Sequence, residues 1–336
     1  MNSLKKSLAA VCASLFILTA VIALILFNMD LKAFKAETYQ QIFAKEDFYN
    51  RIPIVLAEAT LDAVSSQSGL SLFLQGLTLQ DWEAFMRAIL PAESLKAIGN
   101  ETLNSAFAYL NGQSDVAQIS LAPLKANMSG DAGIQATYTL LARQPNCTLE
   151  QIADITLALL QQSQIQFCNP PAELQPFFTP VIQAQLQATA ALLPDQITLI
   201  DANDPAQQSD PREQLNTIRL VMRLSPILPL LFLFLTSILA VNSLKSWLKW
   251  WGIPFTITGA IASLMGISSA PVTNLILQRV LINNMPAILP AILLDYAGEL
   301  AAAMIQQMLE PVLWQGLIIM LIGLVMTGGA FLSKQR

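Results

Sequence analysis

The stretch AAVCASLFILTAVIALILF, Ala9 to Phe27, runs for 19 residues without a charged side chain. Crossing the hydrocarbon core of a bilayer takes about 20 such residues, so this stretch reads as a membrane span. Three more runs share its character: Leu224 to Val241 (LSPILPLLFLFLTSILAV), Ile253 to Leu275, and Val312 to Leu332 (VLWQGLIIMLIGLVMTGGAFL), none with a Lys, Arg, Asp or Glu. The 336-residue chain is 54% apolar and 12% charged, too apolar for an ordinary soluble protein and too polar to lie wholly in lipid. It is expected to be partly embedded and partly exposed. The first run is longer than a signal-peptide core and no A-x-A site follows it, so we read it as an uncleaved anchor, with Cys12 a buried thiol inside it.

Charge orients the spans. With the N-terminus in the cytoplasm, the inner pieces are Met1 to Leu8, Asn242 to Gly252 and Ser333 to Arg336, which carry Lys5, Lys6, Lys245, Lys249, Lys334 and Arg336 and no acid. All 23 acidic residues then lie outside, which is the positive-inside pattern. Lys32, Lys35, Arg219 and Arg223 at the outer borders run against it. Five segments follow: 1–28, the cytoplasmic N-terminus and first span; 29–223, an extracytoplasmic domain; 224–275, two spans and a short inner loop; 276–311, an outer amphipathic segment; and 312–336, the last span and cytoplasmic C-terminus. The outer pieces carry a net charge of −11, which argues against nucleic acid or anionic lipid as an outer partner.

The fold class expected is mainly α, four transmembrane helices plus a helical extracytoplasmic domain with a small two-stranded ribbon. Within the domain, Asp47 to Val64 reads as a helix with Phe48, Ile52, Val55, Leu56, Ala59 and Ala63 on one face. Thr78, with Asp81 three residues on, caps the helix LQDWEAFMRAIL; Pro91 opens another that ends at Asn111-Gly112, with Leu103, Phe107 and Leu110 on a shared face. VAQISL (Val116 to Leu121) and QITLID (Gln196 to Asp201) alternate and are rich in β-branched residues, and the expectation is that they pair with each other. DANDPAQQSDPREQLN, from Asp201, reads as an exposed linker into the second span. From Pro290 the outer segment reads as a helix with a polar stripe of Asp295, Glu299, Gln306 and Glu310, packed under the domain.

Cys147 and Cys168 bracket CTLEQIADITLALLQQSQIQFC. Outside the membrane a cysteine pair is most simply a disulfide, yet a continuous helix from Leu149 to Gln166 would hold its ends about 27 Å apart. A disulfide needs Cα atoms within about 7 Å. The helix, capped by Thr148 with Gln151, is therefore expected to stop near Leu160, with QQSQIQF returning to its start.

The chain has no histidine, which excludes Ser-His-Asp and Cys-His chemistry and leaves two cysteines as a poor metal set. Phosphate-loop, dinucleotide and nucleophile-elbow motifs are absent. Carboxylate pairs such as Glu46-Asp47 or Asp81 with Glu83 read as a solvated face, so no catalytic residue, metal or cofactor is assigned. Spans without ionisable residues argue against an ion path. Gly259 with Ser263, Ala262, Gly266 with Ala270, and Gly323 read as a close helix-packing seam. SLKSWLKWWG, with Lys245, Trp247, Lys249, Trp250 and Trp251, reads as an interfacial anchor and the one inner surface able to couple to a partner.

Cys147, FCNPP (Phe167 to Pro171), LPDQITL (Leu193 to Leu199) and LNGQSDVAQISLAPLK (Leu110 to Lys125) together resemble a group of bacterial membrane proteins with one span, a helical ectodomain and three further spans. The resemblance implies a bacterial inner membrane and no particular activity. In topology alone the chain is similar to permease subunits of mechanotransmitting, ATP-driven complexes. The function expected is a non-enzymatic membrane protein whose outer domain binds or scaffolds an envelope component; the alternative is a subunit of a transport or mechanotransmission complex. Its partners would be the bilayer and another envelope or membrane protein, or a second copy.

Overall fold

The structure is a computed structural model describing residues 3–66, 77–148, 150–151, 168–202, 210–284 and 291–332. Helix α1 (Ser3–Ala33) carries the first apolar run through and beyond its end. Its continuation builds a mainly helical domain: α2 (Ala36–Lys45), α3 (Phe48–Ser66), α4 (Leu79–Ile89), α5 (Ala92–Leu110), β1 (Val116–Ser120), α6 (Ala122–Ser129), α7 (Asp131–Leu141), α8 (Gln175–Leu192) and β2 (Gln196–Asp201). The chain returns through α9 (Pro211–Leu224) and α10 (Ile227–Ala240), then forms a hairpin of two long helices, α11 (Leu244–Asn284) and α12 (Ala291–Leu332). Four helical stretches are long and apolar enough to cross a membrane: Leu4–Ala33, Arg212–Ala240, Leu244–Ser269 and Ile292–Leu332. The protein is a multi-pass membrane protein.

Local chemistry sets the element ends. The Thr78 hydroxyl accepts from the Asp81 N–H while Asp81 accepts from the Thr78 N–H, a complete capping box opening α4. Helix α5 starts after Pro91 and closes at Gly112, whose φ of 72° is open to a residue without a Cβ. There the Gln113 N–H reaches the Ala108 carbonyl and the Gly112 N–H that of Tyr109, the paired closure typical of a glycine-ended helix.

The two alternating stretches do pair, antiparallel, Val116 opposite Asp201 and Ser120 opposite Gln196. A register shift falls between Ala117 and Gln118, and there the Gln118 N–H donates instead to the Ser105 hydroxyl of α5. β1 is thereby fastened to α5, leaving β2 on the open side.

Two apolar cores result. In the domain, Ala57, Val64, Leu77, Trp82 and Leu140 join α3, α4 and α7. In the bundle, Phe16, Ala20 and Leu233 form a core with Trp251 and Phe255 packed against it. Helix α1 is the hub, in contact with α10, α11 and α12.

Three expectations need amendment. The end of the presumed linker is helical, because Asp210 caps α9 and Pro211 takes its first position. The segment SLKSWLKWWG is the opening of α11 from Leu244 rather than a loop. On α3, Ala63 is exposed, whereas Tyr49, Val55, Ala57 and Ala59 are buried. The face turns because α3 packs against both α4 and α12.

Candidate functional site

The segment read as 276–311 continues without a break into the last span. α12 runs 42 residues, about 63 Å at 1.5 Å per residue, straight through Pro311 into the last span. Its domain-side half packs against α3 and α2. Arg51 of α3 pairs with Glu299 at 2.8 Å and lies over the Tyr296 ring at 4.7 Å. Phe48 stacks on the other flank of that tyrosine, ring centres 6.0 Å apart.

The last turns of α1 form a second joint. Asn28, Asp30 and Lys32 each reach a different place. Asn28 and Gln315 of α12 exchange amide hydrogen bonds of 2.7 and 3.2 Å, and Lys32 donates to the Gln307 carbonyl at 3.1 Å. Asp30, its side chain only 4% exposed, accepts from Arg223 Nε at 2.9 Å and lies 3.6 Å from Arg219 Nε. Arg219 also stacks over Phe34 at 4.6 Å and donates to Asn111 at 2.7 Å. One buried carboxylate thus gathers two guanidinium groups, since a desolvated charge persists only when compensated. The cluster keeps one net positive charge. It joins α1, α5 and α9 at the membrane border.

Above it, Tyr109 is fully buried and donates to Asp210 at 3.2 Å, and the Arg212 guanidinium covers its ring at 4.8 Å. The Arg212 N–H, bonded to Asp210 at the start of α9, holds that carboxyl below its usual range despite partial desolvation, helped by the Arg212 side chain and the Tyr109 hydroxyl. Burial pushes the Tyr109 hydroxyl up, and its bond to Asp210 adds to that. The domain is therefore seated on the bundle through α9 as well as α1 and α12.

Two hollows flank the Asp30 cluster. Toward the domain, a recess of about 780 Å³ is lined by Phe34, Lys35, Glu37, Asn104 and Asn111 among others. Toward the membrane interior, an open groove of about 450 Å³ is lined by apolar side chains of α1, α10, α11 and α12, with Thr258 and Gln315 the polar residues at its wall.

The residues singled out from sequence fall into three places. Cys147 and Cys168 stand at disulfide distance, Cα atoms 5.0 Å apart. Beside them the Cys147 N–H meets the Asn169 carbonyl at 3.0 Å and the Asn169 N–H that of Pro145 at 2.9 Å. Thr148 and Gln151 make the expected reciprocal cap; the helix end near Leu160 and the returning arm lie outside the described residues.

Gly259, Ser263, Gly266 and Gly323 do line the seam of α11 against α12, and Ala262 is fully buried. The side chain of Ala270 lies outside what is described. The seam's glycines recur every seven residues, Gly252 against Gly323 and Gly259 against Gly316, with Gly266 against Leu313. A Cβ at Gly259 would run into the backbone of Met320 and Gly316, and one at Gly316 would stand 2.8 Å from the Ser263 nitrogen.

On the opposite side, Lys245 and Lys249 are exposed. Trp251, by contrast, donates to the Ser237 hydroxyl at 2.9 Å and stacks toward Trp247 and Phe255, while Trp250 is half-buried.

Of the carboxylates considered for acid/base work, Asp47 accepts from the Asn50 amide at 2.7 Å. Asp81 completes a cap and binds Arg143 at 2.6 Å, and Glu83 binds Arg87 at 2.9 Å. What sequence reasoning missed is the Asp30 cluster. Its signal was present: one acid just past an apolar run, and two arginines four residues apart just before the next run.

No family model matches the chain, and neither a curated protein nor a solved structure matches it.

Proposed function

We propose that this protein is a non-enzymatic inner-membrane protein whose helical domain, held on the outer side, binds or scaffolds another component of the envelope. The observation that supports this most is the seating of the domain: a buried Asp30 with Arg219 and Arg223, and the Arg51, Glu299 and Tyr296 contacts with α12. A domain anchored at several points presents one fixed surface, as a scaffold requires. The acid-free inner pieces favour cytoplasmic termini; the domain would then lie on the opposite, outer side, where Cys147 and Cys168 would stay oxidised.

A second reading is favoured by one feature. α11 and α12 run 41 and 42 residues, about twice what a span needs, and α12 touches the domain at its far half. Such a hairpin could carry motion between the inner face and the domain in a mechanotransmission complex.

Crosslinking in native membranes, followed by identification of what co-purifies with the tagged full chain, separates the two. Envelope proteins or further copies bound at the domain support the scaffold. A cytoplasmic ATPase crosslinked near Lys245 and Lys249 supports the transmission reading and ends the first. Loss of the partner's activity in Lys249→Ala, with the chain still folded, would point the same way.

A further inference from the structure

The two hollows and the ion cluster lie in line along α1. The membrane-side groove is walled by Phe16, Ala20, Phe27, Pro226, Leu230 and Ile319, among others. All belong to helices long and apolar enough to cross the bilayer. An apolar groove of this kind does not hold water stably, and about 450 Å³ lies within the range of about 300–1,000 Å³ typical of small-molecule sites. Inside a bilayer the molecules that reach such a groove are lipids, so a hydrocarbon chain suits its apolar wall.

The headgroup end is fixed by register. Arg223 comes three residues before Pro226, and Asp30 three residues after Phe27; both pairs place the ion cluster about 4.5 Å along the helix axis from the groove rim. Arg223 gives only Nε to Asp30 among the described residues, and its side chain remains 59% exposed. With Arg219 on the far side of Asp30, and Lys32 and Lys35 in the same border, four basic groups with Arg223 meet three acids there, Asp30, Glu37 and Glu310. The four basic groups are the same residues that contradict the positive-inside pattern of the rest of the chain. A negative ligand at this border accounts for them.

We propose that the groove and Arg223 form a site for one anionic phospholipid, an acyl chain lying between α1 and α10 and the phosphate on the Arg223 guanidinium. Guanidinium binds phosphate oxygens through a planar fork of donors. The recess lined by Lys35, Asn104 and Asn111 lies beyond, where the rest of the headgroup points. This site stands independently of whether the domain is a scaffold or a moving part.

The test uses the full chain in vesicles of phosphatidylcholine containing a trace of phosphatidylglycerol with a photoreactive acyl chain, and a photoreactive phosphatidylcholine in parallel. The expected result is labelling concentrated on the Ala20 to Phe27 and Leu230 walls, displaced by unlabelled phosphatidylglycerol, and weak with the zwitterionic probe. Leu230→Trp, at a residue 61% exposed, should fill the groove and abolish the concentrated label. Arg223→Gln should lower it roughly fivefold, the effect of one basic group near an anionic headgroup, and Arg223→Lys should restore most of it. Labelling spread evenly over outward residues such as Val325 would mean ordinary surrounding lipid and overturn the proposal. Equal labelling by both probes, or no change in Leu230→Trp, would overturn it as well. If Arg223→Gln fails to fold, the Leu230→Trp arm decides alone.

Discussion

Asp81 shows how much one side chain can join. It caps α4 through Thr78, and through Arg143 it ties that helix to the turn four residues ahead of Cys147. Its burial would raise its pKa, but the bonds from the Thr78 hydroxyl and N–H and from Arg143 outweigh this, so the carboxyl is held below its ordinary range. A carboxyl lowered on folding stabilises the folded state above the ordinary range, near pH 4, and that contribution is lost as pH falls through its folded value. Asp81→Ala is expected to cost about 1–2 kcal/mol, the range for losing a helix cap. Thermal unfolding of the full chain in detergent reads this as a lower midpoint. In Asp81→Asn the acid-side slope of stability against pH should flatten; an unchanged slope would mean that other carboxyls set it. Thr78 and Asp81 were legible as a cap from spacing alone. Arg143 was not, because a partner 62 residues away leaves no local pattern. Tyr109, fully buried, was likewise passed over for Phe107 and Leu110. Helical spacing does not tell which side of a helix will meet the chain's later return through Asp210 and Arg212.

At the scale of elements, the α11–α12 hairpin is set by absent side chains. Lipid supplies no hydrophobic drive between helices, so close backbone approach and dispersion must hold them, and a seven-residue repeat keeps one stripe turned to the partner. Gly259→Leu should separate the helices or prevent assembly, costing about 1–3 kcal/mol or more as an overpacked contact. Gly328→Ala should be silent, because nothing stands within 4 Å of its added Cβ. Comparing the two variants by thermal stability in detergent checks the seam, and equal behaviour would refute it. From sequence, the small residues of the third span were visible as a four-residue spacing. The true period of seven needed Gly252, which sits outside the run read as the third span, and Gly316, which lies in the fourth run seven residues before Gly323. The pairing of the ribbon, by contrast, was recoverable, though not its register shift between Ala117 and Gln118. Two short alternating strands with no other partner have one way to satisfy their backbone groups.

The whole molecule is a bundle with a domain seated on it, and the four apolar runs were sufficient to foresee that layout, because lipid tolerates few alternatives. What they could not foresee is how the parts are fastened. The joints at Asn28 with Gln315 and Arg51 with Glu299 join residues 287 and 248 apart, and nothing in either neighbourhood announces the other. For the cysteine pair, mass spectrometry of unreduced peptides from native membranes should recover Cys147 and Cys168 linked. Free thiols at both would remove the staple and argue that the domain faces the reducing side.

The position of Asp30 has a further consequence for how the protein is made. Arg223, its closest partner, is synthesised 193 residues later, which at about 5–20 residues per second is a delay of about 10–40 s. Until then the newly inserted first helix carries Asp30 at the lipid border without the two guanidinium groups that accompany it in the folded chain. A chain ended before Arg219 should therefore be held by the insertion machinery or degraded, whereas Asp30→Asn in the same truncated chain should survive longer in a pulse-chase. Assembly of this protein is in that sense a matter of waiting: the helix made first is completed last.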